Sequence, residues 1–241
     1  MRDKIIGRGI LDVAVENVQS MSNDEYALVR KNGFGASDSS ILCGVNLYKT
    51  MQQLITEKNA KYLTQKEKEV GEKPIVKKGY DLEPIILNKA EEQLKRTVHK
   101  PNDMFKFKDV DGLTVNYDGI LELEDGILIP IEAKLVSKYG EKYYNKSISE
   151  AVAKTIDVTV EGTDLASHIK RKALKLGIPA YYYTQVQQEI AGLDAPYGYL
   201  AAMFDETWSF KLFYIPRDEY VISKIYQLCS ENISKIKRDT V

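Results

Sequence analysis

The sequence predicts an α/β protein with a three-layer core, a central mixed β-sheet flanked by helices, and three observations carry that expectation. Strand patterning runs from Phe105 to Val136, two more strands read over Tyr197 to Phe204 and Ser209 to Ile215, and helical stretches at 75–95 and 178–193 accompany them. Hairpin strands, then a helix, then two further strands give an α/β sandwich with a mixed sheet. At 241 residues the chain suits one domain, taken here as 1–241.

In chain order, Ser37-Asp38-Ser39-Ser40 supplies N-cap residues before Ile41-Leu42-Cys43 and the stop at Gly44, which predicts a short helix. Residues 50–64 read as another helix. From Ile75 to Lys95, the positions Ile75, Tyr80, Glu83, Leu87, Ala90 and Leu94 recur at helical spacing despite Gly79 and Pro84, so Glu83 is expected on or near the inner face. Phe105 and Phe107 then alternate with lysines, and Asp111-Gly112 makes a turn. A strand over Leu113 to Leu123 returns through Glu124-Asp125-Gly126 into Ile127-Leu128-Ile129-Pro130-Ile131 as an antiparallel hairpin. Residues 137–177 carry no clear strand. The helix at 178–193 has Pro179 near its start and Gly192 near its end, and the tail from Asp218 to Lys237 reads as an amphipathic helix.

Composition narrows the function. No run of about 18 apolar residues offers a membrane span, and Met1-Arg2-Asp3-Lys4 leads into no apolar signal region, so a cytoplasmic protein is expected. Cys43 and Cys229 are too few for a disulfide framework or a thiolate metal cluster, and His99 and His168 lack metal-ligand spacing. With 34 Lys+Arg against 35 Asp+Glu, attraction to nucleic acid must come from local clustering. The densest basic stretch is Ser167 to Lys175, read equally as a solvated helix face or a phosphate contact, just before the helix at 178–193.

The chemistry-bearing pattern is Asp118 at the end of one hairpin strand and Glu132-Ala133-Lys134 on the next. Residues two apart on a strand share a face, so Glu132 and Lys134 point the same way and the hairpin brings Asp118 across from them. Two carboxylates so placed suit a hard divalent cation such as Mg²⁺, and the amine beside them would orient the attacking water and stabilise charge on a phosphate. An E-x-K pair on an exposed strand usually means only a cross-strand ion pair. Here the strand around it, Ile127 to Val136, is apolar enough to be buried on both faces, where charge needs a compensating partner.

Five ordered segments between about Arg30 and Phe204 resemble the PD-(D/E)XK nuclease superfamily, in its phage lambda-exonuclease and YqaJ-type viral recombinase branch. Arg30-Lys31-Asn32-Gly33-Phe34-Gly35-Ala36-Ser37 resembles the N-terminal segment whose arginine and serine bind a 5′-terminal or nearby phosphate. Gly79 to Glu83 is similar to the G-x-x-x-E helix, Asp118-Gly119 to the P-D-G aspartate, Glu132 to Lys134 to the E-x-K strand, and Tyr183 to Gln187 to the Y-x-x-Q-x-Q helix. Tyr117 stands where the superfamily name has proline, and 50 residues separate Lys134 from Gln185, so 138–177 reads as an insertion.

The resemblance implies a restriction-endonuclease-like core and a Mg²⁺-dependent deoxyribonuclease, with Mn²⁺ as a substitute ion. Asp118, Glu132 and the Ala133 carbonyl would hold the metal, Glu83 would complete a second or water-mediated site, and Lys134 and Gln185 would position the water. Arg30 and Ser37 would clamp an end phosphate, which implies a 5′-to-3′ exonuclease on linear double-stranded DNA. It further implies a phage or prophage origin, a single-strand annealing protein as partner and a ring-shaped trimer. The competing readings are an endonuclease of the same superfamily and a non-catalytic DNA-binding or interaction module. Each site residue also has a plainer role: Ser37 as an N-cap, Glu83 as a helix-surface carboxylate, Gln185 as a buried hydrogen-bonding group.

Overall fold

The computed structural model describes residues 1–63, 65–144 and 164–237. In chain order its main elements are α1 (Arg2–Ile6), β1 (Leu11–Val15), α2 (Asn23–Val29), α3 (Ser39–Leu42), α4 (Met51–Lys58), α5 (Gln65–Gly71) and α6 (Pro74–Leu94). Then come β2 (Val98–His99), β3 (Met104–Phe107), β4 (Thr114–Val115), β5 (Gly119–Glu122), β6 (Leu128–Val136) and α7 (Lys138–Glu141). The chain closes with α8 (Leu165–Leu176), α9 (Ala180–Leu193), β7 (Tyr197–Phe204), β8 (Phe210–Pro216) and α10 (Glu219–Asn232).

Strands β2-β5-β6-β7-β8 form a mixed sheet in that order, with β6 and β7 parallel and the other pairs antiparallel. Helices cover both faces. A Cβ added at Gly119 would meet Leu87 of α6, whereas one added at Gly198 would meet Val186 and Ile190 of α9. The expected three-layer architecture is therefore present, and its middle strand is buried without a break from Leu128 to Ala133. Pro130 fits inside this strand because the ladder to β7 begins only at the next residue, Ile131.

The structure corrects the single strand expected over Leu113 to Leu123. That segment divides into β4, which belongs to a separate antiparallel sheet β1-β3-β4, and β5 of the main sheet. Asn116, Tyr117 and Asp118 carry the chain from one sheet to the other. Buried Tyr117 anchors the crossing by donating its hydroxyl hydrogen to the Glu189 carbonyl at 3.3 Å.

The helix expected over 50–64 stops at Lys58. Its N-terminus carries the Thr50/Gln53 capping box, while the buried Lys31 ammonium takes the carbonyls of Glu57, Ala60 and Tyr62 and so ends the helical hydrogen-bond run. The α6 helix persists through Pro84 because Ile86, Leu87 and Ala90 remain buried beyond it, and packing outweighs the lost helical bond. The basic stretch 167–175 forms part of α8, directly ahead of α9 as expected, and α8 is capped by the Asp164 side chain accepting from Ser167 N at 2.7 Å. Residues 145–163 of the expected insertion lie outside the described residues.

Helix α9 ends at Leu193 as expected, with Asp194 as its cap at φ 47°, and Gly192 lies near that end, inside the last turn. The reason for glycine is space: a Cβ there would overlap the Tyr117 hydroxyl and lie 3.2 Å from Leu11 Cδ1. Asp218 caps α10 by accepting from Val221 N, and also accepts from Tyr183 and His168 at 2.8 Å each, tying α10 to α8 and α9.

Replacing Gly192 by alanine sets a helix-propensity gain of about 1 kcal/mol against an overlap with a fully packed tyrosine costing about 1–3 kcal/mol. The overlap is expected to win, lowering the urea midpoint; an unchanged or raised midpoint would contradict the packing described here.

Candidate active site

Strand β5 stops pairing with β6 at Gly119↔Ile131, whereas β6 continues beside β7 to Val136↔Phe204. The β5-side edge of β6 is therefore open from Glu132 onward. Asp118 fills part of that edge: its Oδ2 accepts the Ala133 N–H at 3.0 Å, replacing a ladder bond. The Ala133 carbonyl projects from the same edge, since both backbone groups of a strand residue point to one side.

Glu132 and Lys134, two residues apart, lie on the face covered by α9, and Lys134 Nζ is ion-paired with Glu132 Oε1 while standing 3.9 Å from Asp118 Oδ2. One amine thus reaches both carboxylates. The Gln185 side chain enters from α9 and donates Nε2–H to Glu132 Oε1, and to Glu189 Oε1 at 3.2 Å. Glu83 reaches the same region from α6, where its Oε1 accepts from Lys100 Nζ at 2.5 Å. Arg30 donates to Ser37 Oγ at 2.6 Å.

A cleft of about 720 Å³ is lined by Arg30, Ser37, Glu83, Asp118, Glu132, Ala133, Lys134 and Gln185, so the structure brings every site residue named from the sequence to one cavity. Lys170, Arg171 and Lys172 are not among the residues that line it. Sequence reasoning missed Lys100, which has no signal in the chain, and the cleft-wall tyrosines Tyr26, Tyr48 and Tyr80. It also missed Glu189, although that residue follows Gln185 by four positions in a helix and therefore shares its face.

Electrostatics follow from burial. Glu132 is 1% exposed, and its carboxyl is pushed up to about 7 by loss of water and then by the Asp118 charge, with Lys134 opposing. Glu189, also 1% exposed, is raised well above the glutamate range by burial and by Glu132, with which it shares a side-chain hydrogen bond. Burial alone would lower the Lys134 pKa, yet the Glu132 and Asp118 charges hold it above the ordinary lysine range. Glu83 is raised by burial and by Asp118, against the pull of Lys100.

The donor set fits a hard divalent cation. It consists of oxygens, two carboxylates whose mutual repulsion raises the Glu132 pKa, and a carbonyl edge outside the ladder. Among the described residues no three Asp, Glu, His or Cys side chains form a complete cage. That arrangement suits Mg²⁺, which uses one or two carboxylates and takes its other ligands from water and substrate phosphate.

The family model for the YqaJ-like viral recombinase domain matches residues 25–192, and the chain belongs to that family. Every site residue lies inside the matched span. A curated relative, the uncharacterized protein YqaJ of Bacillus subtilis (strain 168), is 28% identical over 129 residues, covering 51% of this chain and 36% of that protein. The match thus spans about a third of the curated relative's length. The alkaline exonuclease LHK-Exo from Laribacter hongkongensis has a similar fold, with a TM-score of 0.54 for one crystal structure and 0.56 for its complex with dAMP. Each is 15% identical, with 88% of this chain and 91% of that chain covered, a likeness of fold.

A carboxyl raised from 4.5 to about 7 in the folded state stabilises the fold fully only below the lower value, and the contribution is lost as pH rises through the upper one. Glu132→Gln removes that loss. In metal-free buffer the variant is expected to gain on the parent from about pH 4.5 to about pH 7 and then level off, the pH-dependent part being on the order of 3 kcal/mol. Urea denaturation across that range measures it, and a pH-independent difference would contradict the assignment.

Proposed function

We propose that this member of the YqaJ-like viral recombinase family is a divalent-metal-dependent deoxyribonuclease, acting 5′ to 3′ on the ends of linear double-stranded DNA. The observation that carries the reading is the convergence of Asp118, Glu132 and Lys134 on the open edge of β6. The alkaline exonuclease named among the fold relatives supports the same chemistry. We read residues 1–241 as one nuclease domain working in the cytoplasm of a bacterial host, with a phage or prophage origin.

Asp118, Glu132 and the Ala133 carbonyl would hold Mg²⁺ or Mn²⁺, and Glu83 would complete a second or water-mediated site. When bound, such an ion lowers the pKa of water and offsets charge on the phosphate. Lys134 keeps its proton under the field of the two carboxylates, so it offers N–H donors to the phosphate oxygens and to the attacking water. Gln185 orients that water by hydrogen bonding. Arg30 and Ser37, joined at 2.6 Å on the cleft wall, supply a guanidinium and a hydroxyl to a terminal phosphate. Since the molecule as a whole carries net charge −1, this local set of donors must supply the attraction for DNA. The family resemblance supports a single-strand annealing protein as partner and a trimeric ring as the assembly.

Three substrates decide the reading: linear duplex with and without 5′-phosphate, and covalently closed circles, each in Mg²⁺ or chelator. The expected outcome is degradation of linear 5′-phosphorylated duplex only, abolished by chelator and slowed by about 10²-fold or more in Lys134→Ala. Equal attack on circles would establish an endonuclease instead, and inertness on all three would establish a binding module.

A further inference from the structure

Glu189 is a buried carboxyl that the reading above leaves without a task. It lies one turn beyond Gln185 on the same face of α9, is 1% exposed and does not line the cleft. A buried ionisable group is costly unless its polar atoms are held in hydrogen bonds. Both partners here are site residues: Gln185 Nε2 donates to Glu189 Oε1 at 3.2 Å, and the Glu189 and Glu132 carboxyls share a hydrogen bond. The same Gln185 nitrogen donates to Glu132 Oε1. With both amide hydrogens directed to carboxyl oxygens, the Gln185 amide has one way round, its carbonyl oxygen is free to accept, and the residue lines the cleft.

We propose that Glu189 is a positioning residue, fixing the Gln185 amide and the Glu132 carboxylate so that the Gln185 carbonyl oxygen accepts a hydrogen bond from the attacking water. The inference rests on the nuclease reading. It differs from a space-filling role, because a residue that only packed α9 against β6 would be replaceable by an apolar side chain of similar volume. Glutamine keeps both bonds, its oxygen accepting from Gln185 and its nitrogen donating to Glu132, whereas leucine keeps neither.

The test uses the full chain in Mg²⁺ on linear 5′-phosphorylated duplex. Glu189→Leu is expected to lower kcat about 10- to 100-fold with KM for DNA unchanged, and Glu189→Gln to restore kcat to within about threefold of the parent. In a Gln185→Ala background, Glu189→Leu should cause a smaller loss than in the parent, since the part of its effect that passes through the amide is already gone. A crystal structure of Glu189→Leu should show the Gln185 amide moved off Glu132. Full activity of the leucine variant, equal damage by glutamine in a folded protein, or multiplying losses in the double variant would each overturn the inference alone. Should the leucine variant fail to fold, the glutamine variant still decides. An inactive parent chain would overturn the nuclease reading and this inference together.

Discussion

The structure depends on one constraint: Glu132 is a carboxylate inside a strand buried on both faces, and its charge must be balanced there. Moving such a group out of water costs several kcal/mol even after relaxation. Lys134 supplies the nearest opposite charge, Gln185 a polar hydrogen, and Asp118 a second negative charge that partly undoes the balance. The result is a site with an excess of carboxylate oxygen over ammonium, set at the mouth of a cleft. A fold selected for stability alone would place an apolar residue at this position. The cost is consistent with a site built to receive a cation and a phosphate.

The rest of the architecture serves that point. Ending the β5 pairing at Ile131 leaves the last five residues of β6 with a free edge, and the crossing from β4 to β5 delivers Asp118 to it while Tyr117 pins the crossing to α9. Gly192 leaves room for the tyrosine, so the helix that carries Gln185 and the loop that carries Asp118 are packed against each other directly. Helix α6 brings Glu83 from the opposite face of the sheet. Four separated chain segments therefore meet, three of them carried on helices or a strand of the core, a placement that favours a precise reacting geometry.

Much of this was legible in the sequence. The apolar run into Glu132 announced a buried strand, and alternation put Glu132 and Lys134 on one face without any structural information. Helical spacing placed Glu83 and Gln185 on helices that proved to border the site. What the sequence concealed was tertiary. Nothing local marks Asn116 to Asp118 as a passage between two sheets, because both flanking strands read as one β pattern. The early end of α4 goes with Lys31, distant in sequence, capturing the Glu57 carbonyl of its last turn and two carbonyls just beyond it. Gly192 was legible as a residue near a helix end, and only the neighbouring Tyr117 shows that it is also a packing contact. Glu189 was visible as a position but not as a partner, since its significance depends on the depth at which the helix meets the sheet.

The central claim is that Asp118, Glu132 and the Ala133 carbonyl form one cation site. Anomalous diffraction from crystals soaked in Mn²⁺ addresses it most directly. The account predicts a manganese peak bounded by those three groups, with Glu132 oxygen in the coordination shell. Manganese bound elsewhere, with both carboxylates still engaged by Lys134, Gln185, Glu189 and Ala133 and not by the ion, would contradict it.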